Sequence, residues 1–468
     1  MTERRKLTRK TRASAGAARA DTASPDESTA PARTPPRAGE STSTTTPAER
    51  AVLVGVHLPL RFGDEIGGPP DTDELARLVE TAGGEVAGEL LQKRDRPEPS
   101  TFLGKGKLAE LKTMVAERGA NLVVFDNDLA PAQARNLEKA LGARVLDRTE
   151  LILDIFARHA RTREARLQVE LAQLQYLLPR LTRLWSHLER QAGGIGTRGP
   201  GETQLETDRR LIGRRIAQLK LELAEVSGDR HVQRQRRRGE FTVALVGYTN
   251  AGKSTLMNAI TQAGVFVEDR LFATLDATTR RVEVDERHRF LLTDTVGFIR
   301  RLPHHLVESF QATLQEVRDA DLLLHVVEAS SPDPQRQIDS VNRVLAGLVP
   351  EDRAVQLVFN KMDRIDSDEL RNRYARMHPG ALFVSALRPG GAAEVHDAIV
   401  RALLARERIF RLTVPAARAD LLAVFHRTGA VLEQAWDGDI CRVVVRMREE
   451  EYRRLLARHP ELGPEDGA

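Results

Sequence analysis

Gly247, four further residues, and then Gly252, Lys253 and Ser254 follow the apolar run FTVALVG and open a second apolar stretch, TLMNAI. Strand, loop and helix in that order make a phosphate cradle. Glycines let backbone N–H groups converge on phosphate oxygens, and the helix N-terminus adds partial positive charge. The expected phosphate-binding residues are Gly247, Tyr248, Thr249, Asn250, Ala251, Gly252, Lys253, Ser254 and Thr255. Lys253 would reach the β- and γ-phosphates and act in catalysis, and Ser254 would be a ligand of Mg²⁺.

Two later segments extend this into a nucleotide site, and a third closes it. RFLLTDTVG ends an apolar strand on Asp294 and runs on through Thr295, Val296 and Gly297. Asp294 would hold Mg²⁺, and the backbone N–H of Gly297 can turn toward a γ-phosphate because no side chain obstructs it. VQLVFNKMD supplies Asn360, Lys361, Met362 and Asp363, and this segment decides the base. A carboxylate at Asp363 can accept hydrogen bonds from both the N1–H and the exocyclic amine of guanine. Adenine offers no such pair, so GTP should be preferred to ATP. Lys361 would lay its stem over the base, and Asn360 would brace the phosphate loop. Ser385, Ala386 and Leu387 follow another short strand and are expected at guanine O6 through backbone N–H.

Between the phosphate loop and Asp294 lies LFATLDATTRR. Phe272, Ala273, Thr274, Leu275 and Asp276 are the expected switch segment, with Thr274 favoured over Thr278 and Thr279 as the residue that joins Mg²⁺ to the γ-phosphate. Thr274 and Gly297 thus join Lys253 as expected catalytic groups, and Ser254, Thr274 and Asp294 are the expected metal ligands. Phe298 follows Gly297 and cannot orient a water as a glutamine would, so hydrolysis should be slow alone or organised by another group. Asn250 stands where some GTPases with such an apolar replacement hold K⁺, which makes potassium a candidate activator.

These segments need parallel strands to present them, and the chain supplies strand-like and helical stretches in alternation. At 468 residues it exceeds one ordinary core, and about three domains are expected. Hydrophobic residues at 41% and charged residues at 29% fit a soluble globular protein, and no apolar run reaches the roughly 18 to 20 residues needed to cross a bilayer. A lone cysteine, Cys441, forms neither a disulfide nor a zinc site and reads as a packing residue in ICRVVVRM. A reducing cytoplasm fits.

Residues 1–49 are rich in Ala, Thr, Ser, Pro and Arg with almost no large apolar side chains, and are expected to be a disordered basic tail. From 50 to 160, short apolar strands alternate with amphipathic helices, the pattern of an α/β domain with a mainly parallel sheet. Its GKGK at Gly104–Lys107 opens a helix. Over 161–238, leucines and isoleucines at steps of three and four (Leu167, Leu171, Leu174, Leu178; Ile212, Ile216, Leu219, Leu223) mark two long helices. The glycine-rich stretch Gln191–Thr203 between them is expected to be a loop, making an antiparallel hairpin whose tip, near Arg198, Arg209 and Arg210, can touch RNA, with Pro179 kinking the first helix. The nucleotide motifs fall in 239–408, a P-loop domain with a parallel sheet and helices on both faces. Residues 409–468 form a small α/β cap. The fold class is therefore multidomain α/β. The formal net charge of +4 is mild, but seven basic residues in positions 1–20 and four arginines within Arg234–Arg238 could meet phosphates.

GYTNAGKST, FATLD, DTVG, NKMD and SAL, with GGIGTRGPGETQLETDRR just upstream and FLGKGKLAEL nearer the start, resemble the HflX family of translational GTPases from about residue 51 to the end. The resemblance implies a GTPase that binds the ribosome, mainly its large subunit and rRNA, and separates stalled or idle ribosomes under stress, with the hairpin tip reaching toward the peptidyl-transferase region. The family's adenine-nucleotide activity has no second phosphate loop here to support it. A monomer is expected. Two other readings stand beside this one: an assembly or RNA-binding factor timed by GTP, and a GTP-loaded scaffold for a protein or peripheral membrane partner.

Overall fold

A computed structural model of the chain describes residues 49–58, 72–181, 200–236, 239–262, 271–272, 274–299, 311–460 and 462–464, which belong to one packed unit, Ala48–Ala468. The basic tail, most of the hairpin tip, Ala273 and the end of the arginine run lie outside the described residues.

The first sheet is built from β1 (Arg50–His57), β2 (Glu85–Lys93), β3 (Leu122–Phe125) and β4 (Arg144–Asp147), all parallel in the order β2-β1-β3-β4. β1 is apolar from Ala51 to Val56 because both of its faces are covered. Ala51 and Leu53 face a core shared with α1 (Thr72–Thr81) and α4 (Arg148–His159). Val52, Val54 and Val56 face a second core shared with α2 (Lys105–Arg118) and α3 (Pro131–Leu141). Gly104 is the N-cap of α2, so GKGK opens a helix as expected.

α5 (Arg163–Leu181) and α6 (Pro200–Arg236) pack through Leu167, Leu171 and Leu219, with Leu174, Ile216, Leu223 and Val226 at the margin. Arg215 of α6 makes a two-point contact with Glu170 of α5 at 2.7 and 2.9 Å. Pro179 lies inside the last turn of α5. One expectation is corrected. The tip loop does not run to Thr203, because α6 starts at Pro200, where the fixed φ of proline and its missing N–H suit a first helical turn. Arg180 fastens the end of α5 to the first sheet, donating to Asp147 at 3.0 Å and to the Leu129 carbonyl at 3.1 Å.

The second sheet has β5 (Phe241–Gly247), β6 (Thr278–Glu283), β7 (Arg289–Asp294), β8 (Leu322–Glu328), β9 (Ala354–Asn360) and β10 (Leu382–Phe383) in the order β10-β9-β8-β5-β7-β6. All pairs are parallel except β6 with β7, which makes β6 an antiparallel edge. Val243 and Leu245 of β5 face one core and Ala244 and Val246 the other, so helices cover both faces.

The last region runs β11 (Glu407–Pro415), helix Asp420–Thr428, β12 (Ala430–Asp437), β13 (Ile440–Arg448), helix Glu449–Arg458 and β14 (Gly463–Pro464), with sheet order β12-β13-β11-β14. Both helices lie on one face, over Cys441, Val443, Val445 and Met447. Cys441 is fully buried there, as a packing residue should be. No helix among the described residues is long and apolar enough to cross a membrane.

This last sheet meets the nucleotide-binding sheet through His288. One imidazole nitrogen contacts Asp285 at 2.7 Å in its own hairpin, and the other contacts Glu407 of β11 at 3.0 Å. Burial works against the imidazolium, but Asp285 and Glu407 outweigh it and raise the pKa above the usual 6.5. A raised histidine stabilises the fold fully below its unfolded value and loses that contribution as pH climbs through its folded value. Replacing His288 by Gln should therefore lower the denaturant midpoint most at acidic pH. The gap between variant and wild type should close above neutrality, and a pH series of urea titrations on both proteins measures it.

Candidate nucleotide-binding site

β5 delivers the chain to Gly247, and α7 (Lys253–Thr261) leads it away. Gly252 has a φ of 89°, and a Cβ on it would stand 2.3 Å from the Asn360 amide, so the loop closes only around glycine. Lys253 is buried and donates to the carbonyls of Gly247 at 3.2 Å and Tyr248 at 3.0 Å, the loop it encircles. Burial pushes its ammonium down to about 8, against the pull of Asp294. A phosphate chain would restore the lost countercharge.

The three expected metal ligands converge. Ser254 donates to Asp294 at 2.5 Å and pairs with the Thr274 hydroxyl at 2.8 Å. Asp294 is 2% exposed, and its Oδ1 has no hydrogen-bond partner. Burial raises its pKa, opposed by Lys253 and by the hydroxyls of Ser254 and Thr274. Two hydroxyls and a desolvated carboxylate at one point are a hard-oxygen donor set that fits Mg²⁺. Thr278 and Thr279 lie instead in β6, where Thr279 bonds to Thr293 of β7 at 3.0 Å.

Gly297 lies against the phosphate loop: a Cβ there would stand 2.6 Å from the Thr249 Cα and 3.0 Å from Lys253 Nζ. The two segments are laced together by Thr249 N–H to the Phe298 carbonyl at 2.7 Å and Phe298 N–H to the Gly247 carbonyl at 3.0 Å. The Phe298 ring is buried in the core with Val246 and Leu323, so it offers nothing to a water. Thr295 turns its hydroxyl to the Leu245 carbonyl at 2.6 Å, and Val296 packs against the first domain's core. Asn250, half-buried, holds a φ of 60°.

On the base side Asn360 bridges two loops. Its amide donates to the Ala251 carbonyl at 3.0 Å, and its oxygen accepts from Ala386 N–H at 3.0 Å. Ser385 donates to Asp363, and that bond, ahead of opposing burial, lowers the Asp363 pKa and keeps the carboxylate charged. Lys361 reaches Glu328 at 3.0 Å, Met362 turns into the core beside Phe359, and Leu387 is 72% exposed.

Around the phosphate loop and residues 272–276 stand partner residues that no motif announced. Tyr248 points away from the phosphate loop and donates to Glu74 of α1 at 2.6 Å. Glu74 pairs with Arg148 at 3.0 Å, and Arg148 pairs with Asp126 at 2.6 Å, all inside the protein. Burial disfavours the guanidinium, yet Glu74 and Asp126 raise its pKa and hold it charged. Leu271 N–H donates to Thr81 at 3.3 Å, Phe272 N–H donates to Thr249 at 2.9 Å, and the Phe272 ring meets Phe156 edge-on at 4.7 Å. Leu275 is buried in the same core, and Asp276 accepts from Arg161, Thr162 and the Thr162 hydroxyl. One signal was present in the sequence: Glu74 shares a helical face with Leu78 and Thr81, and a carboxylate on a core-facing stripe needs a partner.

Comparison with known proteins identifies the family. Residues 70–157 match a family model described as GTP-binding GTPase N-terminal, 159–237 one described as GTP-binding GTPase middle region, and 242–361 one described as 50S ribosome-binding GTPase. GTPase HflX of Escherichia coli is 45% identical over 420 residues, 88% of this chain and 97% of that protein. GTPase HflX of Flavobacterium psychrophilum is 53% identical over 335 residues, 70% of this chain and 80% of that protein. A crystal structure of a GTP-binding protein from Sulfolobus solfataricus with GDP is 23% identical at a TM-score of 0.40, covering 76% of this chain and 98% of that one. With such identity over most of its length, the chain belongs to the HflX family of GTPases.

Proposed function

We propose that this GTPase binds the large ribosomal subunit and couples GTP binding and hydrolysis to separation of the subunits of stalled or idle ribosomes, acting in the cytoplasm as a monomer. The observation that carries the reading is the seat of the switch segment: Thr274 reaches Ser254 while Asp276, two residues on, is bound to Thr162 at the base of the hairpin. Nucleotide state and hairpin thus share one short stretch of chain. The family model named for 50S binding supports the reading, as do Arg209, Arg210 and Arg214, exposed along α6 where they can meet rRNA phosphates. In this division of labour, 50–160 supports the switch, 161–238 probes RNA, 239–408 hydrolyses GTP and 409–468 caps the assembly.

Within the site, Lys253 binds the β- and γ-phosphates and Gly297 presents its N–H to the γ-phosphate. Asn360 holds the loop, and Asp363 reads guanine. Ser254, Thr274 and Asp294 would hold Mg²⁺, which neutralises phosphate charge when bound. Because Phe298 is committed to the core and cannot orient the attacking water, hydrolysis must lean on positive charge supplied by another group. Asn250, a polar residue with a left-handed backbone, is where a K⁺ ion would supply it.

Hydrolysis measured with and without large ribosomal subunits, in potassium and in sodium, tests this. Stimulation by the subunits, faster turnover in potassium and no turnover of ATP are expected. Absent stimulation would overturn the ribosomal reading, and equal rates in the two salts would remove the role of Asn250. Gly297→Ala should slow single-turnover hydrolysis by about tenfold or more, since the methyl meets loop backbone that cannot yield, while GDP affinity stays near wild type. Asp363→Asn should weaken GTP binding by about tenfold to a hundredfold and improve binding of xanthosine triphosphate, whose C2 oxygen accepts from the new amide. Competition titrations with the two nucleotides would show it.

A further inference from the structure

Thr162 belongs to no nucleotide motif, yet its surroundings tie it to the hydrolytic centre. It stands at the junction of α4 and α5. Its hydroxyl accepts from Ala165 N–H at 3.2 Å, capping α5, and donates to Asp276 Oδ1. The other oxygen of Asp276 accepts from the backbone N–H groups of Arg161 and Thr162, each at 3.1 Å. Three donors on one carboxylate, beside the positive end of a 19-residue helix, fix that side chain firmly.

Asp276 is two residues from Thr274. Leu275 between them is 3% exposed in the first domain's core, and upstream Phe272 is held by Thr249 and Phe156. Thr274 is therefore bracketed on both sides, and its hydroxyl stands 2.8 Å from Ser254. A switch threonine contributes to GTP but not to GDP, because its partners are the γ-phosphate and the metal.

We propose that Thr162 is a positioning residue for GTP hydrolysis: by clamping Asp276 it holds Thr274 at the metal site and so favours the triphosphate state over the diphosphate state. The inference rests on the reading of Thr274 as the switch threonine. By reciprocity, a shift of α5 imposed at the hairpin would loosen Thr274 as surely as loss of the γ-phosphate would loosen α5.

The test separates the clamp from the cap. Thr162→Asp still caps the helix, since aspartate is among the best N-caps, but it lacks the O–H donor and sets a second carboxylate against Asp276. Thr162→Ser keeps both functions. Expected for Thr162→Asp is an affinity for a non-hydrolysable GTP analogue and a kcat each reduced about tenfold, with GDP affinity and the denaturant midpoint unchanged. Thr162→Ser should behave as wild type. If Thr162→Asp binds and hydrolyses GTP normally while Thr274→Ala is impaired, the clamp is overturned and the switch reading stands. Equal losses for GDP and GTP analogue, or a lowered midpoint with the same losses, would reveal a merely structural role and overturn it too. A Thr274→Ala variant that discriminates GTP from GDP like wild type would overturn the switch reading and the clamp with it.

Discussion

A carboxylate kept 2% exposed between two β-strand ends sets the terms for this molecule. Asp294 closes β7 directly beside Leu245 of β5, so the proposed metal-site acid and the start of the phosphate loop are fixed by one parallel pairing register. The ends of parallel strands are where an open α/β sheet receives its ligands, because the turns there point one way and the helices that follow present their N-termini. Everything else at the site answers a need of that buried acid: a lysine opposite it, a hydroxyl from the first turn of α7, and a second hydroxyl brought in by the switch segment.

That second hydroxyl is why the nucleotide domain is not self-contained. Leu271, Phe272 and Leu275 bury their side chains among Leu75, Leu78, Ile152 and Phe156 of the first domain, in one continuous apolar core. The proposed switch segment thus has a wall belonging to another sheet. The polar counterpart is the buried chain Tyr248, Glu74, Arg148, Asp126. Removing Arg148 would strand Glu74 and Asp126 away from water, at about 3 to 5 kcal/mol, so the chain is held in register by a penalty as much as by an attraction.

The sequence made the chemistry legible because each nucleotide motif is local. Asn360 and Ala251 are far apart in the chain, but each sits in a short signature whose neighbours define its place, and Asn360 donates to the Ala251 carbonyl at 3.0 Å. The parallel sheet of the first domain was equally plain, since β1 and β3 are apolar runs separated by amphipathic helices. What could not be read is whatever depends on two distant segments meeting. Nothing near Thr162 announces Asp276, 114 residues away, and Arg148 looks like an ordinary helix-opening arginine until Glu74 and Asp126 enclose it. The start of α6 at Pro200 is masked in the sequence for a local reason: glycines at 199 and 201 flank a proline well suited to a first turn.

These contacts also limit how the parts can communicate. The end of α5 is fastened to the first sheet by Arg180, its start is fastened to the switch by Asp276, and its middle is fastened to α6 by Arg215 and Glu170. A helix held at both ends transmits displacement rather than absorbing it, because its backbone hydrogen bonds resist bending and its core contacts with Leu219 resist sliding. In the proposed cycle the hairpin and the γ-phosphate would communicate through the position of two residues, Thr274 and Asp276. A coupling of about 1.4 kcal/mol through that stretch would already change the preference for one nucleotide state tenfold.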